Sequence, residues 1–181
     1  MFARWAWQAM LVVGICSVVL GVVLAAWPNK SVYAADTLFG LCLLLSAAAQ
    51  LVLAFGARIH PVLKWLVFGS GALAVLLAVW CFSSGGWILL LALWTGIGWM
   101  IRGIMQAIVA VWSDDLPGTV RLEAFGLATL VMGIVVVVAP FDSVDLLGVA
   151  VGLWLIVLGG MEADSAVRVQ RGEERMAEWA R

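Results

Sequence analysis

Six apolar runs, each about the length needed to cross a bilayer, are separated by short stretches of proline, glycine, asparagine and charge. A spanning helix takes about 20 such residues. The runs are Trp5–Trp27, Tyr33–Gly56, Trp65–Phe82, Trp87–Trp112, Leu122–Ala139 and Val144–Met161. Pro28-Asn29-Lys30 ends the first, Arg58 to Lys64 (with Pro61) the second, and Ser83-Ser84-Gly85-Gly86 the third. Ser113 to Gly118, with Pro117, ends the fourth, and Pro140 the fifth. Proline and glycine mark these ends because they interrupt helix propagation. Inside lipid every segment must satisfy its own backbone, and runs of this length do so as helices. The expectation is an all-α membrane protein of six transmembrane helices. The first run exceeds a signal core of about 7–15 residues, so it is read as a helix and not as a cleaved leader.

Composition narrows the function classes. Hydrophobic residues make up 65% of the chain and charged residues 12%, against roughly 45–50% and 25% in soluble domains. A soluble enzyme and a disordered tail are excluded. Lys+Arg is 10 against Asp+Glu 11, which leaves no basic surplus for nucleic acid. Cys16, Cys42 and Cys81 all lie in apolar runs and read as small apolar filler, and His60 is the only histidine. No metal set, nucleophile–base pair or phosphate loop is present, so no catalytic residue and no cofactor is expected.

Lys and Arg counts set the orientation. With six spans, one side holds Arg4, Arg58, Lys64, Arg121, Arg168, Arg171, Arg175 and Arg181, whereas the other holds Lys30 alone. Both termini are therefore expected in the cytoplasm, with the chain in a bacterial inner membrane. Trp5, Trp7, Trp27, Trp65, Trp80, Trp87 and Trp112 sit at span ends and read as headgroup anchors. Trp94, Trp99 and Trp154 lie deeper and are expected between helices. Asp36, Asp142 and Asp145 read as solvated caps at the outer ends of spans two and six. The tail, 163–181, reads as a short cytoplasmic helix with Val169, Met176 and Trp179 near one face.

The chain also aligns with itself. A shift of 112 places Gly14, Gly21 and Pro28 on Gly126, Gly133 and Pro140. The intermediate shift of 56 meets Ser70, Leu77 and Ser84, so the middle copy has drifted. In the even spans the same shift aligns Gly40, Gly96 and Gly152, then Gln50, Gln106 and Glu162, then Ala54, Ala110 and Ala166. The unit is a helical hairpin in three parallel copies, at about 5–57, 61–113 and 117–169, within one domain at 1–162. Small residues let helices approach closely in lipid. Gly14, Gly21, Gly40, Gly96, Gly126, Gly133, Gly148 and Gly152 are the expected packing positions.

Gly14, Gly21, Pro28, Gly40 and Gln50, echoed by Gly126, Gly133, Pro140, Gly152 and Glu162, give a pattern that resembles the HdeD family. These are small bacterial inner-membrane proteins with six spans built of short repeats. The resemblance covers nearly the whole chain apart from the tail, and Ser84 departs from it where a proline is expected. It implies a role in acid resistance of the envelope and carries over no catalytic residues.

One polar constellation stands out. Gln50, Gln106 and Glu162 each follow a mid-span glycine by ten residues, about 15 Å along a helix. Arg102 sits one turn deeper on the face of Gln106. Two readings stand. In one, Arg102 pairs with Glu162 on a pseudo-threefold axis, with Gln50 and Gln106 completing the hydrogen bonds. Such a cluster suits a proton, an anion or a lipid headgroup. In the other, Arg102 snorkels to the inner headgroups and Glu162 begins the wet end of span six. Function divides accordingly. A non-enzymatic stress-tolerance protein would act through the lipid bilayer, a homo-oligomer or a membrane-protein partner. A carrier of a small solute, anion or proton would use Arg102 and Glu162. An accessory subunit of a larger complex is the third class.

Overall fold

The computed structural model describes residues 2–56, 61–82, 87–112 and 119–179, with the backbone alone at 2–7, 32, 53, 55, 56, 63, 119, 169 and 171–179. Residues 83–86 and 113–118, Arg58, His60, and the side chains of Trp5, Trp7, Val169, Met176 and Trp179 lie outside the described residues. Among those described there are six helices: α1 (Phe2–Ala26), α2 (Val32–Gly56), α3 (Pro61–Cys81), α4 (Ile88–Val111), α5 (Thr119–Val138) and α6 (Val144–Trp179).

Each helix is long and apolar enough to cross a membrane. The outward faces are apolar as well: Val12, Ile15 and Val19 on α1, and Val131, Ile134 and Val135 on α5, are exposed. Only lipid makes such a surface inexpensive.

Helix ends follow local chemistry. The Ser31 hydroxyl accepts from the Ala34 amide at 3.2 Å, and the Ser143 hydroxyl from Leu146 at 3.1 Å. These two caps are equivalent under the 112-residue shift, and Trp87, their counterpart before α4, offers no side-chain cap. Helix α3 starts at Pro61, four residues before the apolar run does. Proline suits a first helical position, where its missing N–H has no intrahelical partner to lose. Helix α6 continues without a break past Met161 and runs 36 residues.

The helices close into a ring. The most extensive contacts are α1 with α6, α4 with α5, and α2 with α3. Each odd helix thus lies chiefly against the even helix of a neighbouring hairpin. The even helices touch one another, and no two odd helices meet among the described residues. Burial on the even helices keeps the 56-residue register. Ala35, Leu91 and Leu147 are buried together, then Phe39, Thr95 and Val151, then Leu43, Trp99 and Leu155. Ser46, Arg102 and Leu158 come next, and below them Gln50, Gln106 and Glu162. Three largely apolar layers, with the Thr95 hydroxyl and the Trp99 indole N–H among them, therefore fill the axis beyond Arg102; Gln50, Arg102 and Glu162 lie at the end where α1 begins, and the buried Asp36 and Lys30 side chains lie at the other.

Candidate functional site

Glycine pairs bring the site together. An ideal Cβ at Gly159 would stand 2.5 Å from the Gly14 carbonyl oxygen, and one at Gly152 would stand 2.6 Å from that of Gly21. Across α4 and α5, a Cβ at Gly103 would stand 2.6 Å from Gly126 oxygen and one at Gly96 2.7 Å from Gly133 oxygen. These neighbours are backbone and cannot swing away, so only glycine fits. The indices run in opposite directions, so both pairs are antiparallel. Two of the expected packing glycines do something else. Gly148 lies against the Lys30 ammonium and the Leu24 carbonyl, and a Cβ at Gly40 would meet the Phe82 ring.

This packing carries Glu162 of α6 to Arg102 of α4. The Arg102 Nη2 donates to Glu162 Oε1 in a buried ion pair, and Nη1 donates to Ser46 Oγ of α2 at 3.4 Å. Arg102 is 3% exposed and Glu162 6%. The guanidinium therefore points into the bundle and does not reach for headgroups. Breaking such a pair by removing one partner costs about 3–5 kcal/mol, because the other charge stays buried.

The glutamines do not complete the pair as the cluster reading expects. Gln50 accepts through Oε1 from the Ser70 hydroxyl of α3, and its Nε2 has no partner among the described residues. Ser70 stands where Gly14 and Gly126 stand in the other copies. Gln106 remains beside the ion pair, with Oε1 unpartnered. A cavity of about 50 Å³ opens there, with Arg102, Gln106, Glu162 and Ser165 on its polar side. Apolar side chains of α1, α2, α5 and α6 form the remaining wall, Phe125 among them. Both α5 and α6 line the cavity, and they form the hairpin whose two helices touch least. Arg121 stacks on Phe125 at 5.6 Å and pairs with Asp164 at 2.7 Å, and Arg168 also pairs with Asp164, at 2.9 Å.

The opposite end corrects the reading of the aspartates. Asp36 is 5% exposed and sits inside the bundle, one turn beyond the Ser31 cap. Asp142 is exposed, as expected. Asp145 does more than cap α6: its carboxylate accepts from the Asn29 amide at 2.8 Å and meets the Lys30 ammonium at 3.4 Å. Asn29 adopts a left-handed φ of 53°, which turns the α1–α2 connection toward α6. Trp99 is fully buried on the axis, and Trp94 and Trp154 are half-buried.

Ser46, Ser70, Ser165 and the Lys30–Asp145 bridge escaped the sequence reading as site residues. The repeat held a signal for two of them. Subtracting 56 from Arg102 gives Ser46, and the departure from glycine at Ser70 marks a polar group facing Gln50.

A family described as a short repeat of unknown function, DUF308, matches residues 12–83 and 124–180. The matched segments hold most of α1 and α5 and all of α2, α3 and α6, while α4, with Arg102, lies between them. No curated protein and no solved structure matches the chain.

Proposed function

The chain belongs to the DUF308 family of short repeats, and from that premise we propose a non-enzymatic membrane protein of the HdeD kind. It contributes to acid or envelope-stress tolerance through contacts with lipid and with protein. Both termini lie in the cytoplasm and the six helices cross a bacterial inner membrane. The observation that carries this reading is the filled interior. From Ala35, Leu91 and Leu147 to Leu43, Trp99 and Leu155 the axis is occupied by buried side chains, and the buried Arg102–Glu162 pair lies to one side of them. A bundle packed in this way favours action through its surface over passage through its core.

A second reading has a specific observation in its favour. The Arg102–Glu162 pair borders a cavity, which suits a carrier of a small solute, an anion or a proton. One pair of experiments separates the two. A host strain lacking the chain is challenged with acid, with and without the wild-type chain restored, and purified protein is assayed for proton and anion flux in sealed vesicles. The first reading expects lower acid survival without the chain and no flux. Unchanged survival contradicts it. Flux that disappears in Glu162→Gln establishes the second reading.

A further inference from the structure

We infer that the cavity beside Arg102 is a water site, and that it joins the Glu162 carboxyl to solvent only at the end carrying both termini. The inference rests on the six helices spanning a membrane and is independent of any stress role.

Three polar atoms without a protein partner belong to residues lining this cavity: Arg102 Nε, Gln106 Oε1 and Glu162 Oε2. One is a donor and two are acceptors. Water can accept from the first and donate to the other two. An anion would face two acceptor oxygens and a single N–H. A lipid acyl chain would leave all three atoms unpaired in a place where orphaned polar groups are costly. The volume of about 50 Å³ exceeds the roughly 10–15 Å³ that one water requires, so a small cluster fits.

The charges around Glu162 fit a one-sided site. Among the described residues Glu162 pairs with Arg102 from α4, which also donates to the uncharged Ser46 of α2, and it packs beside Gly14 of α1, with the apolar Met10 and Val13 on the same cavity wall. Toward the end carrying both termini, Asp164 and Arg168 of α6 and Arg121 of α5 hold one another in ion pairs, and Glu123 lies on α5 at the same end. In the other direction Leu43, Trp99 and Leu155 are fully buried. The Thr95 hydroxyl and the Trp99 indole N–H also lack partners, yet neither lines this cavity or those near the two helix ends. Arg102 is thus the deepest polar residue lining this cavity.

Water-edited solid-state NMR on the full-length protein in lipid tests this. It measures how fast magnetisation passes from water to each labelled side chain. Glu162 and Gln106 are assigned by their loss in Glu162→Gln and Gln106→Leu, and Trp99 by its loss in Trp99→Phe. The expected result is build-up at the Glu162 carboxyl and Gln106 amide close to that at Asp164, and an order of magnitude faster than at the Trp99 indole. Gln106→Leu should slow the transfer to Glu162 several-fold, since it removes one acceptor. Build-up at Glu162 as slow as at Trp99 would mean a dry cavity. Build-up at Trp99 as fast as at Glu162 would mean water continues along the axis. Either result overturns the inference.

Discussion

The α2–α3 pair and the two glycine-lined pairs, α1–α6 and α4–α5, occupy equivalent places in the ring yet are held by different means. In the glycine-lined pairs the backbones touch at two levels, Gly14 with Gly159 and Gly21 with Gly152, then Gly126 with Gly103 and Gly133 with Gly96. In α3 the corresponding residues are Ser70 and Leu77, whose side chains need room. The helix turns to give it. Ser17 and Thr129 are 2% and 0% exposed, but their counterpart Leu73 is 41% exposed. Leu24 and Val136 are fully buried, but Trp80 is 58% exposed. Helix α3 buries Val67, Ala74, Ala78 and Cys81 instead. The difference also reaches the polar site. Ser70 offers Gln50 a hydroxyl and draws it away from the axis. Gly14 offers Glu162 nothing, so the carboxylate turns to Arg102. One position on the odd helix thus decides which polar residue of the facing even helix belongs to the axial site.

The largest effect that would break this comparison comes from filling a glycine. A Cβ at Gly103 would stand 2.5 Å from the Leu130 amide nitrogen and 2.6 Å from the Gly126 oxygen, both backbone. Gly103→Val is expected to destabilise by about 3 kcal/mol or more and to abolish cooperative thermal unfolding in detergent. Ala47→Val, at the equivalent place on α2, should cost clearly less. Equal effects would mean that the three pairs are packed alike.

A smaller effect sharpens the contrast. Ser70→Ala leaves Gln50 without its donor and should cost about 1–2 kcal/mol in the same unfolding measurement. Gly14→Ser, which builds a serine where α3 already has one, should cost more, because its Cβ would meet the Ala163 nitrogen and Gly159 oxygen at 2.8 Å. If Gly14→Ser is the milder change, Ser70 is not what sets the two regions apart.

The smallest effect lies at the far end of the bundle. Lys30→Met removes one partner of Asp145, which is 38% exposed in its side chain. The expected loss is the smallest of the series and weakens with added salt. A loss as large as that of Gly103→Val would place a main support of the fold outside the glycine pairs.

Much of this architecture was legible in the sequence, for identifiable reasons. Spans could be read because lipid demands long apolar runs and because Pro28 and Pro140 end them. The packing glycines were visible through their 112-residue recurrence, but recurrence does not say which helix each one meets. Gly40 recurs with Gly96 and Gly152 yet meets the Phe82 ring, and Gly148, marked only by its spacing of four from Gly152, meets the Lys30 side chain and the Leu24 carbonyl. The start of α3 was placed four residues late because a charge and a proline hide a helical turn that proline can begin. Arg102 and Glu162 stood out as ions in apolar sequence, whereas their pairing depends on α6 closing against α1, a contact between the two ends of the chain. Asp36 looked like a cap because it lies near a helix start, but the cap is Ser31, and one more turn carries Asp36 inside.

The central claim is that Arg102 and Glu162 hold each other inside the bundle, and a double-mutant cycle tests it most directly. Arg102→Met, Glu162→Gln and the double variant would be unfolded thermally in one detergent. The account predicts that each single change costs about 3–5 kcal/mol and that the double variant costs far less than their sum, a coupling of about 2 kcal/mol or more. Additive losses with no coupling would contradict it, because Arg102 and Glu162 would then be solvated separately.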